Sequence, residues 1–207
     1  MDIIAYLVVF LVSYLIGSIT FALVFAKLWG YPDPRTCGST NAGATNMLRV
    51  SSKSVALLTL LCDALKGGLV VLMASCLGMP EEVALLAGYA AFIGHLFPVY
   101  YSFKGGKGVA TGMGVIIAFS PLLALYACII WFVIYMSTFI VSLASIGVFW
   151  SMPLLAYFYY GPTVSAILLL FTVFITYAHR NNVVRLWLGM EVRTTLFESS
   201  SKEENYE

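Results

Sequence analysis

The sequence predicts an all-α protein that crosses a membrane about seven times, with its N-terminus outside and its C-terminus in the cytoplasm. Composition is the first reason. Apolar residues make up 61% of the 207 residues and charged residues only 10%, whereas a soluble domain carries about 25% charged residues. A water-soluble core of this size cannot cover that much apolar surface, so lipid must be part of the solvent. The net charge of +1 does not indicate a nucleic-acid partner.

The second reason is the length of the apolar runs, because a bilayer core requires roughly 17–25 apolar residues per helix. Five runs match or approach that length: Ile3–Leu28, Val55–Leu77, Val83–Tyr101, Val141–Tyr160 and Thr163–Ala178. Another run, Val109–Phe139, is too long for one straight span and contains Ser120-Pro121, where proline interrupts a helix. We predict two short helices there, joined by a hairpin.

The distribution of Lys and Arg is the third reason. Basic residues follow the first, third and last predicted spans, whereas the connections at Gly78–Glu82, Ser120-Pro121 and Gly161-Pro162 contain none. Cytoplasmic connections are enriched in Lys and Arg, so these three connections are predicted to lie outside. A single helix over Val109–Phe139 would place the basic C-terminal segment outside, which is why we predict the hairpin.

The sequence predicts one transmembrane domain over residues 1–197 and a polar, disordered tail over residues 198–207. The four cysteines lack Cys-x-x-Cys spacing, so we predict neither a metal site nor a disulfide framework.

Two charged residues, Asp63 and Lys66, lie three positions apart inside a predicted span. An ion pair between them would lower the cost of burying either charge in lipid. Such a pair either stabilises the helix bundle or faces a substrate, and the sequence leaves both interpretations open. His95, near the end of another span, is interpreted as a hydrogen-bonded histidine of the bundle.

Three polar segments share the predicted cytoplasmic face. The first, Asp33–Arg49, combines small hydroxyl and amide side chains with glycines and flanking arginines, which is typical of a phosphate site. A polar loop with helix caps would use the same residue types. The second, Phe103–Thr111, places a cradle of three glycines and two lysines before an apolar helix and predicts an anion site. A basic anchor for lipid headgroups would explain its lysines but not its glycines.

The third segment, His179–Glu191, follows the last span directly and is predicted to lie at the interface, where a simple amphipathic helix is the alternative. Ser142–Ser145, at the start of a span, forms a further candidate; its serines either reach the same pocket or bond to their own helix. Together these segments predict an enzyme or carrier for a phosphorylated amphiphile.

The chain resembles the bacterial glycerol-3-phosphate acyltransferase family that uses acyl phosphate as its donor. The similarity runs from Gly17-Ser18 to Glu191, and Thr40 stands where the family's Gly-Ser-x-Asn pattern more usually has glycine. The residues that carry the resemblance are Gly38-Ser39, Asn41, Gly43–Asn46 and Arg49; Lys104–Thr111; Ser142–Ser145; and His179-Arg180, Asn182, Arg185, Gly189 and Glu191.

The resemblance implies transfer of a fatty acyl group to the 1-hydroxyl of glycerol 3-phosphate, giving lysophosphatidate and phosphate without metal or organic cofactor. It implies catalytic roles for Ser39, Arg49, Lys107, His179, Asn182 and Glu191. It implies substrate-binding roles for Asn41, Thr45, Asn46, Lys104, Gly105, Gly106, Gly108, Ser142, Ser145 and Arg180.

The resemblance also implies a location in the bacterial cytoplasmic membrane, with membrane lipids as neighbours and an association with the enzyme that makes acyl phosphate. Neither His95 nor His179 begins a His-x-x-x-x-Asp pattern, which argues against the other large acyltransferase family. A transporter would explain Asp63 and Lys66, but we find no internal repeat. A non-catalytic lipid-binding scaffold would explain the basic face only.

Overall fold

The computed structural model describes residues 3–193, and within this range every regular element is helical. The predicted tail over residues 198–207 lies outside the described residues, and the one-domain division stays a prediction. The helices are α1 (Ile3–Gly17), α2 (Phe21–Leu28), α3 (Ala44–Val50), α4 (Lys53–Cys76), α5 (Glu81–Leu96), a 3₁₀ turn (Val99–Tyr101), α6 (Val109–Phe119), α7 (Pro121–Thr138), α8 (Val141–Tyr160), α9 (Pro162–Ala178) and α10 (Arg180–Trp187).

The helices confirm the predicted all-α, polytopic membrane class. Four of them are long and apolar enough to cross a membrane singly, and the count rises to six if the bent pairs α1–α2 and α9–α10 each form one span. Helix α6, with 11 residues, is only about 16 Å long. The predicted count of seven spans and the predicted orientation therefore stay predictions.

The predicted break at Ser120-Pro121 is confirmed. Ser120 is extended (φ −149°, ψ 104°), its hydroxyl accepts a hydrogen bond from the Leu123 amide, and Pro121 takes the first position of α7. Proline fits there because the first helical N–H has no partner in any case. Only α6 is short, however: α7 has 18 residues and matches the length of a full span.

The first predicted span, Ile3–Leu28, is not one straight helix, because α1 and α2 meet at a bend of 41°. The linking residues include Ser18 and Thr20, but the apolar residues on both sides keep the mean hydropathy of the run high, so hydropathy does not reveal the bend. Gly17 packs so closely on α5 that a Cβ there would collide with the backbone of Ala91. Thr20 then adopts an extended conformation (φ −92°, ψ 96°) before α2 begins.

The ion pair expected between Asp63 and Lys66 is confirmed, with 2.8 Å between Lys66 Nζ and Asp63 Oδ1. Lys66 Nζ also donates to the Ile19 carbonyl at 2.6 Å and lies 2.9 Å from His95 Nδ1. The expectation of a bonded bundle histidine is thereby confirmed as well. Ile19 lies in the bend between α1 and α2, so the lysine satisfies a carbonyl that helix geometry leaves free.

Close helix packing depends on small residues, as is common between membrane helices. A Cβ at Gly114 of α6 would collide with the Ala64 carbonyl of α4, and one at Gly67 with the Thr111 carbonyl. A Cβ at Gly94 of α5 would meet the Tyr14 carbonyl of α1. These glycines let α6 and α5 approach their neighbours closely enough to fix the loops that follow α5 and precede α6.

Side chains of α9 donate hydrogen bonds to backbone carbonyls of α8 near a proline inside that helix. Pro153 lies inside α8 and has no N–H to donate to the Phe149 carbonyl four residues earlier. The Thr172 hydroxyl of α9 donates to that carbonyl at 2.5 Å, and the Ser165 hydroxyl donates to the Pro153 carbonyl at 2.8 Å. A free carbonyl in lipid would be costly, so these bonds hold α9, and the site residues beyond it, against α8.

Candidate active site

The loop of the first segment is organised by Asn46, which is buried at the start of α3. Its Oδ1 accepts from the Ser39 amide at 2.7 Å. Its Nδ2 donates to the carbonyls of Pro34 at 2.7 Å and Cys37 at 3.1 Å. Both polar atoms of Asn46 are therefore engaged with loop backbone, and they shape the loop that presents Ser39. Its implied contact with substrate stays a prediction.

The backbone conformation at Thr40 explains why the family's pattern more usually has glycine at this position. Its φ of 56° is left-handed, a conformation that costs a residue with a Cβ roughly 1–2 kcal/mol. Ser39 and Thr45, which the sequence predicts to bind substrate phosphate, are exposed, and Asn41 is half-buried. The first loop thus offers these side chains to a ligand from a backbone that is slightly strained.

The second loop, Lys104–Gly108, differs from the expected cradle. The Gly105 amide donates to the Leu96 carbonyl at 3.2 Å and the Gly106 amide to the His95 carbonyl at 3.1 Å. These two N–H groups are thus already used by the end of α5, which corrects the expectation that they bind an anion. The glycines here permit close packing, since a Cβ at Gly105 would collide with the His95 carbonyl.

The free N–H groups near this loop are those of the first turn of α6, which have no acceptor inside the helix. Gly108 precedes that turn with a φ of 80°, and a Cβ there would collide with the ring of Phe92. The positive end of the α6 dipole adds to the charge of Lys107. Lys104 is exposed, so the structure distinguishes it from Lys107, which is half-buried.

Lys107 belongs to a hydrogen-bonded group that joins three of the polar segments, which we call the Glu191 cluster. Lys107 Nζ donates to Asn182 Oδ1 at 2.5 Å, and Asn182 Nδ2 donates to Glu191 Oε1 at 2.5 Å. The Ser142 hydroxyl donates to the same Oε1 at 2.7 Å, and Arg185 Nε donates to Oε2 at 2.7 Å. Residues up to 84 positions apart in the chain are thereby brought to one site.

Burial and charge perturb both ends of this cluster. Burial lowers the pKa of Lys107 to about 8; the Glu191 carboxylate opposes this shift, and Arg185 and Arg49 add to it. Burial would raise the pKa of Glu191, but hydrogen bonds from Asn182, Ser142 and Arg185 outweigh it and leave that pKa below its usual value. The cluster therefore presents an ammonium beside an ionised carboxylate at neutral pH.

His179 ends α9 next to this cluster and is buried. Its Nδ1 lies 2.9 Å from the Ile175 carbonyl. A carbonyl oxygen can only accept, so we assign the proton to Nδ1 and a free lone pair to Nε2. Burial lowers the pKa of His179 to about 4, helped by the charge of Lys107 and opposed by the Ile175 carbonyl and Glu191. The imidazole is therefore neutral at physiological pH.

Two residues that are predicted to bind substrate, Ser145 and Arg180, do not join the Glu191 cluster. The Ser145 hydroxyl donates to the Val141 carbonyl of its own helix at 2.9 Å and accepts from Trp131 Nε1 at 3.4 Å. Arg180 is exposed, and its guanidinium lies 4.7 Å from the centre of the Tyr177 ring. Their implied substrate contacts stay predictions, whereas Ser142 joins the Glu191 cluster.

Arg185 is the residue that sequence reasoning left without a role. It ion-pairs with Glu191, whose side chain is only 8% exposed while that of Arg185 is 43% exposed. The available signal was an arginine and a glutamate six positions apart within one short polar segment that ends a membrane helix.

Within residues 3–193, no three His, Cys, Asp or Glu side chains form a group that could hold a metal ion.

Comparison with known proteins shows the family of this chain. Residues 7–189 match the family model described as glycerol-3-phosphate acyltransferase. A glycerol-3-phosphate acyltransferase of Methylobacillus flagellatus is 45% identical over 181 residues, 86% of this chain and 92% of that protein. One from Neisseria meningitidis serogroup C is 44% identical, over 87% of this chain and 92% of that protein.

The fold is also similar to a solved structure. The crystal structure of PlsY, an integral membrane glycerol 3-phosphate acyltransferase, in its glycerol 3-phosphate form, superposes with a TM-score of 0.87 and 40% identity. The match covers 94% of this chain and all of that one (100%). The lysophosphatidic acid form of the same protein gives a TM-score of 0.85 with 39% identity. The chain therefore belongs to the glycerol-3-phosphate acyltransferase family and is an integral membrane acyltransferase of phospholipid synthesis.

Proposed function

We propose that this enzyme transfers a fatty acyl group from acyl phosphate to the 1-hydroxyl of glycerol 3-phosphate, giving lysophosphatidate and phosphate. The observation that carries this proposal is the Glu191 cluster, which holds a half-buried ammonium beside a neutral histidine at the end of a bundle of membrane helices. Support for the acceptor comes from the related crystal structures, which are described as glycerol 3-phosphate and lysophosphatidic acid forms.

Positive charge is what two phosphorylated substrates require, because they repel each other and must meet in one site. Lys107 and Arg49 supply that charge, and Arg49 is near enough to Lys107 to lower its pKa. Ser39 and the first turn of α6 add hydrogen-bond donors. Ser142, Asn182 and Glu191 hold Lys107 in place and offer polar atoms to glycerol 3-phosphate.

In the proposed reaction the 1-hydroxyl oxygen attacks the carbonyl carbon of acyl phosphate, the bond from that carbon to the phosphate oxygen breaks, and phosphate leaves. The hydroxyl proton passes either to His179 Nε2 or to a substrate phosphate oxygen. A histidine with a pKa of about 4 is a weaker base than a phosphate monoester, whose second pKa is about 6. This difference favours the phosphate as base and His179 as the acceptor that orients the hydroxyl.

His179→Gln separates these two roles, because an amide oxygen accepts a hydrogen bond but takes no proton. We expect kcat to fall by about tenfold or less; a loss of about 10²–10⁴-fold would identify His179 as the general base.

Acyl transfer is proposed to be direct. Acyl phosphate already carries a good leaving group, and within residues 3–193 the structure shows no serine or cysteine paired with a histidine and carboxylate in a triad. Incubation with radiolabelled acyl phosphate without acceptor should leave no label on denatured protein. Stoichiometric label that disappears in a single Ser→Ala variant would contradict direct transfer.

The donor is tested with purified enzyme, glycerol 3-phosphate and either acyl phosphate or acyl-coenzyme A. We expect phosphate release and lysophosphatidate with acyl phosphate only. Turnover with the thioester alone would refute the proposed donor while leaving the acceptor intact.

The phosphate contacts are tested with Lys107→Ala and Arg49→Ala, each expected to lower kcat/KM by about 10²-fold or more, since each removes a charge-assisted contact. Arg49→Lys should restore activity only in part, because lysine cannot reproduce a bidentate guanidinium contact. Lys53→Ala is the matched control, since Lys53 is an exposed lysine at the start of α4. Near-normal activity of both alanine variants would contradict the phosphate contacts and would favour a role of these residues in anchoring lipid headgroups.

We propose further that the site faces the cytoplasm of a bacterial inner membrane, because the basic connections lie on its side. A reporter fused after Glu207 should read as cytoplasmic; a periplasmic signal would overturn the orientation. Association with the enzyme that makes acyl phosphate follows from the instability of a mixed anhydride in water and is testable by co-purification.

A further inference from the structure

Three buried ionisable side chains, Asp63, Lys66 and His95, have no part in the chemistry proposed above. We call them the buried triad; their exposed fractions are 1%, 3% and 3%. Charged groups inside membrane helices are costly and commonly functional. The triad lies on α4 and α5, which pack against each other and lead to the two polar loops.

Lys66 fixes the orientation of the histidine ring. An ammonium has three donors and no acceptor. Lys66 Nζ donates to the Ile19 carbonyl at 2.6 Å and lies 2.9 Å from His95 Nδ1. Asp63 Oδ1 forms an ion pair with it at 2.8 Å and lies 3.5 Å from the same ring nitrogen. Nδ1 must therefore be an acceptor, which assigns the ring proton to Nε2. The Nε2 edge of the ring points away from the ion pair.

That edge of the ring lies against Gly106 of the second loop, and Gly106 lies in turn against the first loop. A Cβ added at Gly106 would collide with His95 Nε2 and would also meet the Ala42 carbonyl of the first loop at 2.7 Å. The Gly106 amide also donates a hydrogen bond to the backbone carbonyl of His95 at 3.1 Å. Gly106 is thus held by both the ring and the backbone of His95, directly before Lys107.

We propose that the buried triad is a positioning device for the second loop. Lys66 and Asp63 fix the ring of His95, the ring and carbonyl of His95 fix Gly106, and Gly106 fixes the point from which Lys107 reaches Asn182. His95 is therefore a positioning residue and not a catalytic one. The consequence for catalysis rests on the proposed function of Lys107 as a phosphate ligand, but the effect on the environment of Lys107 does not.

The test compares His95→Leu, which removes the acceptor for Lys66, with His95→Asn, whose side-chain oxygen can still accept from it. Ser120→Ala is the control for general loss of stability. Ser120 is a buried polar residue that caps α7, and it lies at the opposite end of α6 from Lys107.

The first measurement is the pH dependence of acetic anhydride labelling at Lys107, followed by mass spectrometry. It does not depend on catalysis. Lys107 faces Glu191, Arg185, Arg49 and His179, and burial is the largest influence on its pKa, which is about 8. A loosened loop would expose Lys107 to water, so His95→Leu should raise this pKa toward the ordinary lysine value of about 10.4.

The second measurement is kcat and KM for glycerol 3-phosphate. We expect His95→Leu to raise KM by about tenfold or more, His95→Asn to raise it less, and Ser120→Ala to lower thermal stability with both constants unchanged. If His95→Leu does not fold, His95→Asn alone must still raise the pKa of Lys107. Unchanged labelling of Lys107 in a folded His95 variant would overturn the proposal, even if thermal stability fell. A shifted labelling profile with unchanged KM would support the positioning role and would contradict instead a contact between Lys107 and the phosphate of glycerol 3-phosphate.

Discussion

Replacement of Glu191 by glutamine tests whether the cluster around it organises the site. The carboxylate accepts from Asn182 and Ser142 on one oxygen and from Arg185 on the other. Glutamine has nearly the same shape and keeps one carbonyl oxygen. Glutamine loses the negative charge. Its amide nitrogen carries N–H donors, so it would face one of the groups that now donate to the carboxylate and could not accept a hydrogen bond from it.

The expected magnitude follows from these three contacts. Hydrogen bonds to a charged group contribute about 1.5–3 kcal/mol and neutral ones about 0.5–1.5 kcal/mol. The contacts to Asn182 and Ser142 each weaken by about 1 kcal/mol on that scale. The contact to Arg185 is lost, but because that side chain is 43% exposed, water compensates and the loss is about 0.5–1 kcal/mol. The total is about 2.5–3 kcal/mol.

If that energy serves to hold Asn182 and Lys107, kcat/KM should fall by about 70- to 160-fold, since 1.36 kcal/mol corresponds to a factor of ten. The assay is acyl transfer to glycerol 3-phosphate with thermal unfolding measured in the same detergent. Glu81→Gln is the control, because Glu81 is an exposed carboxylate at the start of α5. A Glu191→Gln enzyme with kcat/KM within about threefold of wild type would refute the idea that this cluster organises the site.

Three further predictions follow from single contacts. The proposed phosphate contact of Lys107 requires its protonated amine, and the pKa of Lys107 is about 8, so kcat/KM should fall along an alkaline limb centred near pH 8; Lys107→Arg should move this limb to higher pH. Thr172→Val should lower the free energy of unfolding by about 1–2 kcal/mol, because it leaves the Phe149 carbonyl without its donor. Thr40→Gly should raise that free energy by about 0.5–1 kcal/mol, because relief of a left-handed threonine (φ 56°) exceeds the added entropy of glycine.

Each of these has a measurement that separates it from a general effect. An alkaline limb that starts above about pH 10 would contradict the buried environment of Lys107. Ser165→Ala removes a donor to the Pro153 carbonyl in the same helix pair, so it should also lower the free energy of unfolding. Ser137→Ala removes an exposed hydroxyl and should leave that free energy unchanged. Gly30→Ala, at a left-handed glycine with φ 71°, should change the free energy of unfolding in the opposite direction to Thr40→Gly. Thermal unfolding checks all five of these stability variants.

The sequence alone determined the class of this protein. With 61% apolar and 10% charged residues, no other solvent than lipid can cover its surface. Apolar run length placed α8 at its observed bounds, and Ser120-Pro121 marked the break between α6 and α7, because capping and proline geometry are local. The order of short polar motifs indicated the family, since those residues are adjacent in the chain.

Only the tertiary structure decided what those motifs do. The apolar residues on both sides of the bend between α1 and α2 outweigh Ser18 and Thr20 within it, so hydropathy could not reveal it. A glycine packed on Ala91 and a carbonyl bound by Lys66 account for the bend. The same holds within the site. Whether an amide N–H is free depends on which carbonyl lies opposite it, so only the folded chain showed that Gly105 and Gly106 are bonded to the end of α5. Contacts between distant segments, such as Lys107 with Asn182, are set by helix packing and have no signal in local sequence.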